Sequence, residues 1–381
     1  MPDPTKYGAG TDLGNGVGSV IDSSKTPYSV QWNLNVQRQL PYNITLEVGY
    51  LGLRGIRLAD NAPGESYTQL PASFMSLGAK LDEQVPNPFY GLYSNGAGLF
   101  SSPTIRYADL IRPFPDYGSV TSSRMPFGHS LYNAMTIRLD KRFSNGFSVL
   151  ASFTGGKSMD DVSTSNGFQD PGKNTPQDFY NRAANWSLSS WDVSKRLVTS
   201  FVYELPIGKG RRFLTDLPRG VNLLATGWQA NGIVTMQSGL PIGISGAINR
   251  TGIGSGQWLN NTGVPYKVSW SSRDQEMTEY FNNSKTNPSF AQPAAYSFGN
   301  LGPVLPNLRT PGTNNFDLSF FKNNYIGGEH KLNAQFRAEL FNAFNHTQLG
   351  GPDTNIQDQT FGQILGSGPG RTIQLAIRLV Y

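Results

Sequence analysis

The last eleven residues of the chain, 371–381, alternate between apolar and mostly polar side chains. The apolar members occupy every second position: Ile373, Leu375, Ile377, Leu379 and Tyr381. Successive side chains of a β-strand point to opposite faces, so this segment predicts a strand with one apolar and one polar face. Such a strand has to lie between an apolar and an aqueous environment.

A final strand of this kind, closed by an aromatic residue, resembles the terminal strand of bacterial outer-membrane β-barrels. An amphipathic edge strand of a soluble sheet explains the segment equally well, because each barrel strand carries only a weak signal. The choice between the two therefore depends on the rest of the chain.

The composition favours many short strands and long polar loops. The 381 residues include 43 Gly, 25 Pro, 17 Tyr and 22 Phe, and only 15% are charged, a balance that does not suggest a helical protein. No apolar run approaches the roughly 20 residues of a membrane helix. The mean hydropathy of −0.36 is compatible with a barrel, whose strands are half polar by construction.

Charge and cysteine usage exclude several classes of function. The net charge of +5 is spread along the chain, and this favours no nucleic-acid partner. Without cysteine there is no disulfide, thiolate metal site or cysteine nucleophile. The first eight residues lack the pattern of a signal peptide, so we expect either an intracellular protein or a piece of a longer one.

Period-two segments recur along the chain and predict nine strands. Turns are expected at 41–43 and at Asn145-Gly146, where Asn-Gly tolerates positive φ. The strands are expected within 29–40, 44–50, 131–143, 147–157, 197–205, 228–236, 316–320, 332–340 and 373–381.

The connections alternate in length, and this alternation predicts the architecture. The shorter set lies near 41–43, 144–146, 206–227 and 323–330, and the long loops near 55–128, 158–194, 239–313 and 344–370. Outer-membrane barrels have short periplasmic turns and long extracellular loops. We therefore predict an antiparallel transmembrane β-barrel in the outer membrane, with its apolar face in contact with lipid. The aromatic residues expected to form its girdles are Trp32, Tyr50, Tyr203, Trp228 and Tyr381.

The parity of the strands predicts a partial barrel. Bacterial single-chain barrels have an even number of strands and both termini on the periplasmic side. Counting back through nine strands from Tyr381 leaves Ser29 at the extracellular rim. We therefore expect residues 29–381 to be the carboxy-terminal portion of a larger barrel, and residues 1–28 to be a poorly ordered loop remnant.

Several stretches together resemble the barrel of Oar-like TonB-dependent receptors. They are 27–40, 47–55, 132–143, 153–161, 203–213, 227–241 and 336–346, the last reading FRAELFNAFNH. The resemblance implies a barrel of about 22 strands with a plugged lumen, an amino-terminal carboxypeptidase-regulatory-like domain and a TonB-contacting segment. None of these additional parts matches this chain, so contact with TonB is expected only through them.

The sequence offers no convincing catalytic, cofactor or metal site, and we expect no enzyme. The histidines, His129, His330 and His346, are far apart and form no HExxH motif, so rim positions are expected rather than a zinc site. Asp160, Asp161, Asp170 and Asp178 match no EF-hand spacing and are expected to be solvated. No Ser-His-Asp arrangement has a recognisable nucleophile elbow.

A set of charged residues falls mostly on the polar faces of the strands. We predict ion pairs across neighbouring strands inside the barrel among Glu47, Arg138, Arg142, Glu204, Asp317, Arg337, Glu339 and Arg378.

The function expected from these features is that of an outer-membrane receptor or transporter barrel whose loops bind an extracellular ligand. Two alternatives remain at this point: a structural or adhesive barrel without transport, and a soluble carbohydrate-binding β-sandwich.

Overall fold

One antiparallel sheet dominates the structure, a computed structural model. It describes residues 13–20, 25–60, 65–92, 98–123, 125–161, 164–165, 168–169, 176–208, 211–326 and 332–380. Nine long strands follow one another across the sheet in chain order. They are β1 (Tyr28–Leu40), β2 (Ile44–Asp60), β3 (Met125–Ser144), β4 (Phe147–Asp160), β5 (Lys195–Glu204), β6 (Trp228–Gln237), β7 (Thr313–Ile326), β8 (Leu332–Phe341) and β9 (Thr372–Val380).

The predicted tight turns are confirmed. Tyr42 and Asn43 both have positive φ, at 64° and 59°, and Asn145 and Gly146 have φ of 52° and 77°. Two consecutive residues with positive φ match the right-handed twist of a hairpin. These turns fix which residues pair between β1 and β2 and between β3 and β4.

The register places apolar side chains on one face of the sheet and polar side chains on the other. One row of cross-strand partners runs Val36, Val48, Ile137, Phe153, Leu197 and Met236. The row beside it, on the opposite face, runs Gln37, Glu47, Arg138, Ser152, Val198 and Thr235. The predicted division of the strands into an apolar and a mostly polar face is confirmed.

No second layer covers the apolar face within the part of the chain that the structure describes. Leu34, Leu375 and Ile377 expose 68%, 65% and 75% of their surface, and Leu46 and Ile137 are half-buried. A β-sandwich would bury this face against another sheet. The sandwich alternative is therefore wrong.

The sheet is an open wall in this structure. β1 and β9 form its edges among the described residues. Because neighbouring strands alternate in direction, the first and ninth strands run the same way. Joining them directly would make a parallel pair, so an all-antiparallel ring needs an odd number of further strands between them.

Shorter elements lie in the connections. The short strands are Gly16–Val20, Glu65–Ser66, Gln84–Pro86, Thr104–Arg106, Ser119–Ser123, Thr164–Ser165, Phe168–Gln169, Ser187–Leu188, Asn260–Asn261 and Phe290–Ala291. The α-helices are α1 (Tyr107–Ile111), α2 (Arg219–Ala225) and α3 (Arg273–Thr278), and 3-10 helices span Ala72–Asp82, Gly98–Phe100 and Arg182–Asn185. No helix in the described residues is long and apolar enough to span a membrane.

Part of segment 1–28 is structured. Gly16–Val20 pairs in parallel with Ser119–Ser123, and Tyr28 already belongs to β1. Residues 1–12 and 21–24 lie outside the described residues. The boundary at residue 28 as a domain limit stays a prediction.

Aromatic side chains mark both ends of the apolar face. Trp32, the partner of Gly52, lies on the same face as Tyr50 and two residue rows farther from the turn at 41–43. The Tyr50 hydroxyl donates to Asn133 Oδ1 at 2.6 Å. At the short-turn end, Tyr203 packs edge-on against Phe147 with ring centroids 6.0 Å apart. Trp228 is the first residue of β6. These positions agree with the predicted girdles; Tyr381 lies outside the described residues.

Candidate ligand-binding surface

The buried apolar residues of the protein lie mainly in the long loops. We name these loops A (61–124), B (161–194), C (238–312) and D (342–371). One core joins loops C and D, and its buried members are Ile242, Leu259, Tyr280, Phe281, Phe290, Leu305, Leu308 and Ile364. A second joins loops A and C through Leu70, Leu81, Ala108 and Ile253. The loops therefore pack into a folded body, which we call the loop body.

A buried glutamine connects loop A to loop B. Gln69, 3% exposed, donates from Nε2 to Asp178 Oδ1 at 2.5 Å and accepts from Phe179 N at 2.9 Å. The Tyr180 hydroxyl donates to the backbone oxygen of Gln69 at 3.1 Å. All polar atoms of this side chain that face the interior are thereby satisfied, as burial requires.

A second buried glutamine connects loop B to loop C. Gln177 donates from Nε2 to Gly299 O at 2.9 Å, and its Oε1 accepts from Trp258 N at 2.8 Å and from Gly299 N at 3.1 Å. It lies at 6% exposure. The Gln177 side chain thus satisfies backbone groups of two segments of loop C, one at Trp258 and one at Gly299.

A buried ion pair fixes the base of the loop body to the wall. Asp192, 1% exposed, binds the Arg309 guanidinium through Oδ2 and accepts from Ser158 N of β4 at 2.5 Å through Oδ1. Arg309 Nη1 also donates to Asp192 O at 2.7 Å and to Gly239 O at 3.1 Å. One contact therefore joins loop B, loop C and a wall strand.

Burial changes the acidity of Tyr280 at the junction of loops C and D. Its hydroxyl donates to Arg309 O at 2.7 Å, and its ring stacks on Trp270 at 4.9 Å. Burial, assisted by the negative charge of Glu276, raises the pKa of Tyr280 to about 12. The phenolate is therefore disfavoured in the folded loop body.

This shift predicts a loss of stability at high pH. Folding raises the pKa of Tyr280, so the folded state holds the phenol proton more tightly than the unfolded state. The contribution of Tyr280 to the free energy of unfolding is therefore complete below about pH 10, the ordinary tyrosine value, and is lost as pH rises through about 12. We expect the urea midpoint of the loop body to fall across this window, and to fall less in Tyr280→Phe. The control is Tyr90→Phe, at a residue 56% exposed. Equal pH slopes in both variants would contradict this.

A cleft opens between loops C and D. It has a volume of about 450 Å³, within the range of roughly 300–1,000 Å³ of small-molecule sites. Its apolar floor is formed by Phe290, Ile356 and Phe361. The polar residues around it are Asn282, Asn283, Ser284, Lys285, Ser289, Asp358, Gln359 and Gln363.

Some polar side chains of the cleft are hydrogen-bonded within the protein, and others are free to bind a ligand. The Asn283 amide donates to Thr278 O and Phe361 O at 3.0 and 3.1 Å, and so holds loop D against loop C. The side chains of Lys285, Gln359 and Gln363 make no hydrogen bond within the described residues. The cleft thus presents an ammonium and two amides above an apolar floor.

The comparison that decides the family covers almost the entire chain. The model of the outer membrane beta barrel domain family matches residues 1–374. The chain belongs to this family. The wall is therefore the lipid-facing part of an outer-membrane β-barrel protein, and the loop body stands at the extracellular end, where such barrels carry their long loops.

Solved structures with a similar trace are outer-membrane proteins. YddB, the outer membrane transporter of Escherichia coli, aligns with 96% of this chain and 34% of its own length, at 9% identity and a TM-score of 0.44. The FrpB iron transporter of Neisseria meningitidis aligns with 95% of this chain and 32% of its own length, at 10% identity and a TM-score of 0.39. The ferripyoverdine receptor of Pseudomonas aeruginosa aligns with 92% of this chain and 27% of its own length, at 8% identity and a TM-score of 0.37.

The chain spans 34% of the length of the YddB structure. No protein with a curated description is similar to it in sequence.

The histidines and aspartates that could serve as metal ligands form one contact pair, His129 with Asp161, and no larger group among the described residues. His129 Nδ1 is 3.2 Å from Asp161 Oδ2, and His346 Nδ1 is 3.3 Å from Gln348 Nε2. No group of three or more His, Cys, Asp or Glu side chains in the described residues could hold a metal ion. The expected solvation is wrong for Asp178, which is 8% exposed and bound to Gln69, and for Asp161, whose side chain is 16% exposed and accepts from His129 N at 2.6 Å. His330 and Asp170 lie outside the described residues.

The predicted ion pairs across neighbouring strands are wrong: among the described residues, none of the eight side chains pairs with a charged group on a neighbouring strand, and four have other partners. Arg138 pairs instead with Asp140 of its own strand at 3.6 Å. Glu204 pairs with Arg211 of the following connection at 3.2 Å. Asp317 accepts from Asn342 N at 2.9 Å, and Arg337 Nε donates to Gln335 Oε1 at 2.6 Å. Side chains two residues apart on one strand share a face, so Arg138 and Arg337 find their partners on their own strands.

Sequence reasoning missed the cleft and the buried glutamines. Loops C and D show neither helical nor strand periodicity, so their apolar residues carried no recognisable pattern. One signal was available: Tyr280, Phe281, Phe290 and Phe361 place four aromatic residues in loops that are otherwise rich in Gly, Asn, Ser and Pro.

Proposed function

We propose that the protein is the wall and outer loops of a TonB-dependent receptor or transporter of the Oar-like type, which binds a ligand outside the cell for uptake. The observation that carries this proposal is the cleft in a loop body that is itself folded. Two apolar cores hold loops A, C and D against one another, so packing fixes the walls of the cleft. The plug and the TonB-contacting segment would belong to other parts of a longer protein.

The chemistry of the cleft favours a neutral, polyhydroxylated ligand such as an oligosaccharide. Hydroxyl groups both donate and accept hydrogen bonds, and so do the amides of Gln359 and Gln363. The apolar face of a sugar ring would cover Phe361. Lys285 and Asp358, of opposite charge, stand on different loops, an arrangement that gives no preference for a charged ligand.

Ligand capture is tested with cells that produce the protein and a panel of fluorescent neutral oligosaccharides. The double variant Gln359→Ala/Gln363→Ala should weaken binding about tenfold or more, since each 1.4 kcal/mol of lost contact is a factor of ten. The control is Gln357→Ala, which lies beside the cleft and bonds Gly246 O, and should bind normally. Absence of binding to every member of the panel, or equal binding by both variants, would overturn this ligand class.

Transport is tested separately with a protonophore. In a TonB-dependent transporter, internalisation of the bound sugar should stop while surface binding persists. Binding without internalisation before and after treatment would establish the adhesive barrel instead.

A further inference from the structure

Helix α2 carries an exposed apolar stripe at the periplasmic end of the wall. It lies in the connection between β5 and β6, where Val221, Leu223 and Leu224 expose 49%, 61% and 72% of their surface. At 100° per residue these three share one side of the helix and Asn222 lies opposite. The Asn222 backbone oxygen accepts from Thr226 N at 3.1 Å and Thr226 Oγ1 at 2.7 Å, which ends the helix against the wall.

Two contacts hold the carboxyl end of α2 against the lipid-facing side of the wall. Trp228 Nε1 donates to Leu224 O at 2.8 Å, and Lys322 Nζ donates to Thr226 O at 2.7 Å. Trp228 and Lys322 are cross-strand partners, and both lie on the apolar face of the sheet. The ammonium of Lys322, in a side chain 7% exposed, complements the negative carbonyl end of the helix.

We infer that α2 lies in the phospholipid leaflet at the periplasmic rim, with Val221, Leu223 and Leu224 inserted among the acyl chains. The stripe continues the lipid-facing surface of the wall at the level of the inner aromatic residues, Tyr203 and Trp228. Lipid is therefore already the neighbour of the surface to which the helix is attached. A short helix with apolar residues on one side and polar contacts on the other has the form of an interfacial anchor.

The charges around the helix agree with this location. Arg211 and Arg212 precede α2 in the same connection, and both are exposed. Arg211 is tied to Glu204 of the wall at 3.2 Å, and the Arg212 guanidinium lies over the Phe213 ring at 5.4 Å. Exposed guanidinium groups beside an apolar stripe match the level of anionic phospholipid head groups. This inference holds for a transporter and for an adhesive barrel alike.

The absence of cysteine from the chain makes a single spin label at Leu224→Cys unambiguous. The full chain is placed in vesicles of phosphatidylethanolamine and phosphatidylglycerol, and the relaxation of the nitroxide is measured with oxygen and with a water-soluble nickel chelate. The matched control is Leu92→Cys, at a residue 61% exposed in loop A. We expect the label at 224 to respond several-fold more to oxygen than to the chelate, and the label at 92 to show the opposite preference.

Equal access of the chelate to both labels would overturn the inference, because α2 would then be in water. A label at 224 that neither reagent reaches would also overturn it, because a protein partner would then cover the stripe. A further variant tests the attachment: Lys322→Met in the Leu224→Cys background should raise chelate access at 224 and leave the label at 92 unchanged. No change at 224 would show that Lys322 does not position the helix.

Discussion

Arg309→Met is expected to destabilise the loop body by about 3–5 kcal/mol, because it leaves the carboxylate of Asp192 buried without a counter-ion. Asp192 is 1% exposed, and of the partners of its carboxylate in the described part of the chain it would retain only Ser158 N. Gly239 O would lose a donor as well. The measurement is a urea titration of the loop body, in which unfolding is monitored by the rate at which an external protease cuts loops B and C.

The matched control is Arg211→Met, which breaks the pair with Glu204 at the other end of the wall. Those side chains are 53% and 35% exposed, and exposed pairs of this kind contribute under about 1 kcal/mol. Adding Asp192→Asn to Arg309→Met should restore part of the stability, because the amide oxygen still accepts from Ser158 N and no buried charge remains. Equal effects of the two arginine substitutions would refute the structural role of the buried pair.

Ile137→Arg is expected to cost about 2–4 kcal/mol, the penalty for a cation on the lipid face near the bilayer midplane. Ile137 lies between Val48 and Phe153 in the apolar row. The neighbouring substitution Thr136→Arg is its control, because Thr136 pairs with Gly49 and Thr154 on the opposite, polar face at almost the same height. It should change stability by less than about 1 kcal/mol.

The comparison is made by urea titration of the protein folded into lipid vesicles. The two residues differ mainly in the face they occupy, so the difference between the variants reports the environment of the apolar face. Similar stabilities for Ile137→Arg and Thr136→Arg would mean that this face does not contact hydrocarbon.

The strands were predictable because their signal is local. Alternation of apolar and polar side chains identifies a strand and both of its faces at once, and the tight turns at Tyr42-Asn43 and Asn145-Gly146 then set the register of their hairpins. Each wall strand pairs with its neighbour in the chain, so the sheet order required no long-range information. The same pattern, together with the alternation of short and long connections, predicted an outer-membrane barrel, and the family match over residues 1–374 agrees with that prediction.

The loop body depended on contacts between distant parts of the chain. Gln69 meets Asp178 and Asp192 meets Arg309 across 109 and 117 residues. A glutamine that bridges two loops looks the same in the sequence as one that faces water, because the difference lies in its burial and its partners. The expected solvation of Asp178 was wrong for this reason.

Local side-chain patterns were sufficient to predict the wall of this protein: nine strands, their two faces and the alternation of short turns with long loops. Side-chain alternation is a property of neighbouring residues, and lipid and water select its two faces without reference to the rest of the molecule. Contacts between distant segments, in contrast, produce the two apolar cores of the loops, the cleft between loops C and D, and the attachment of α2 to the wall. Each of these depends on which distant segments exclude water from one another, and no periodicity along the chain records that choice.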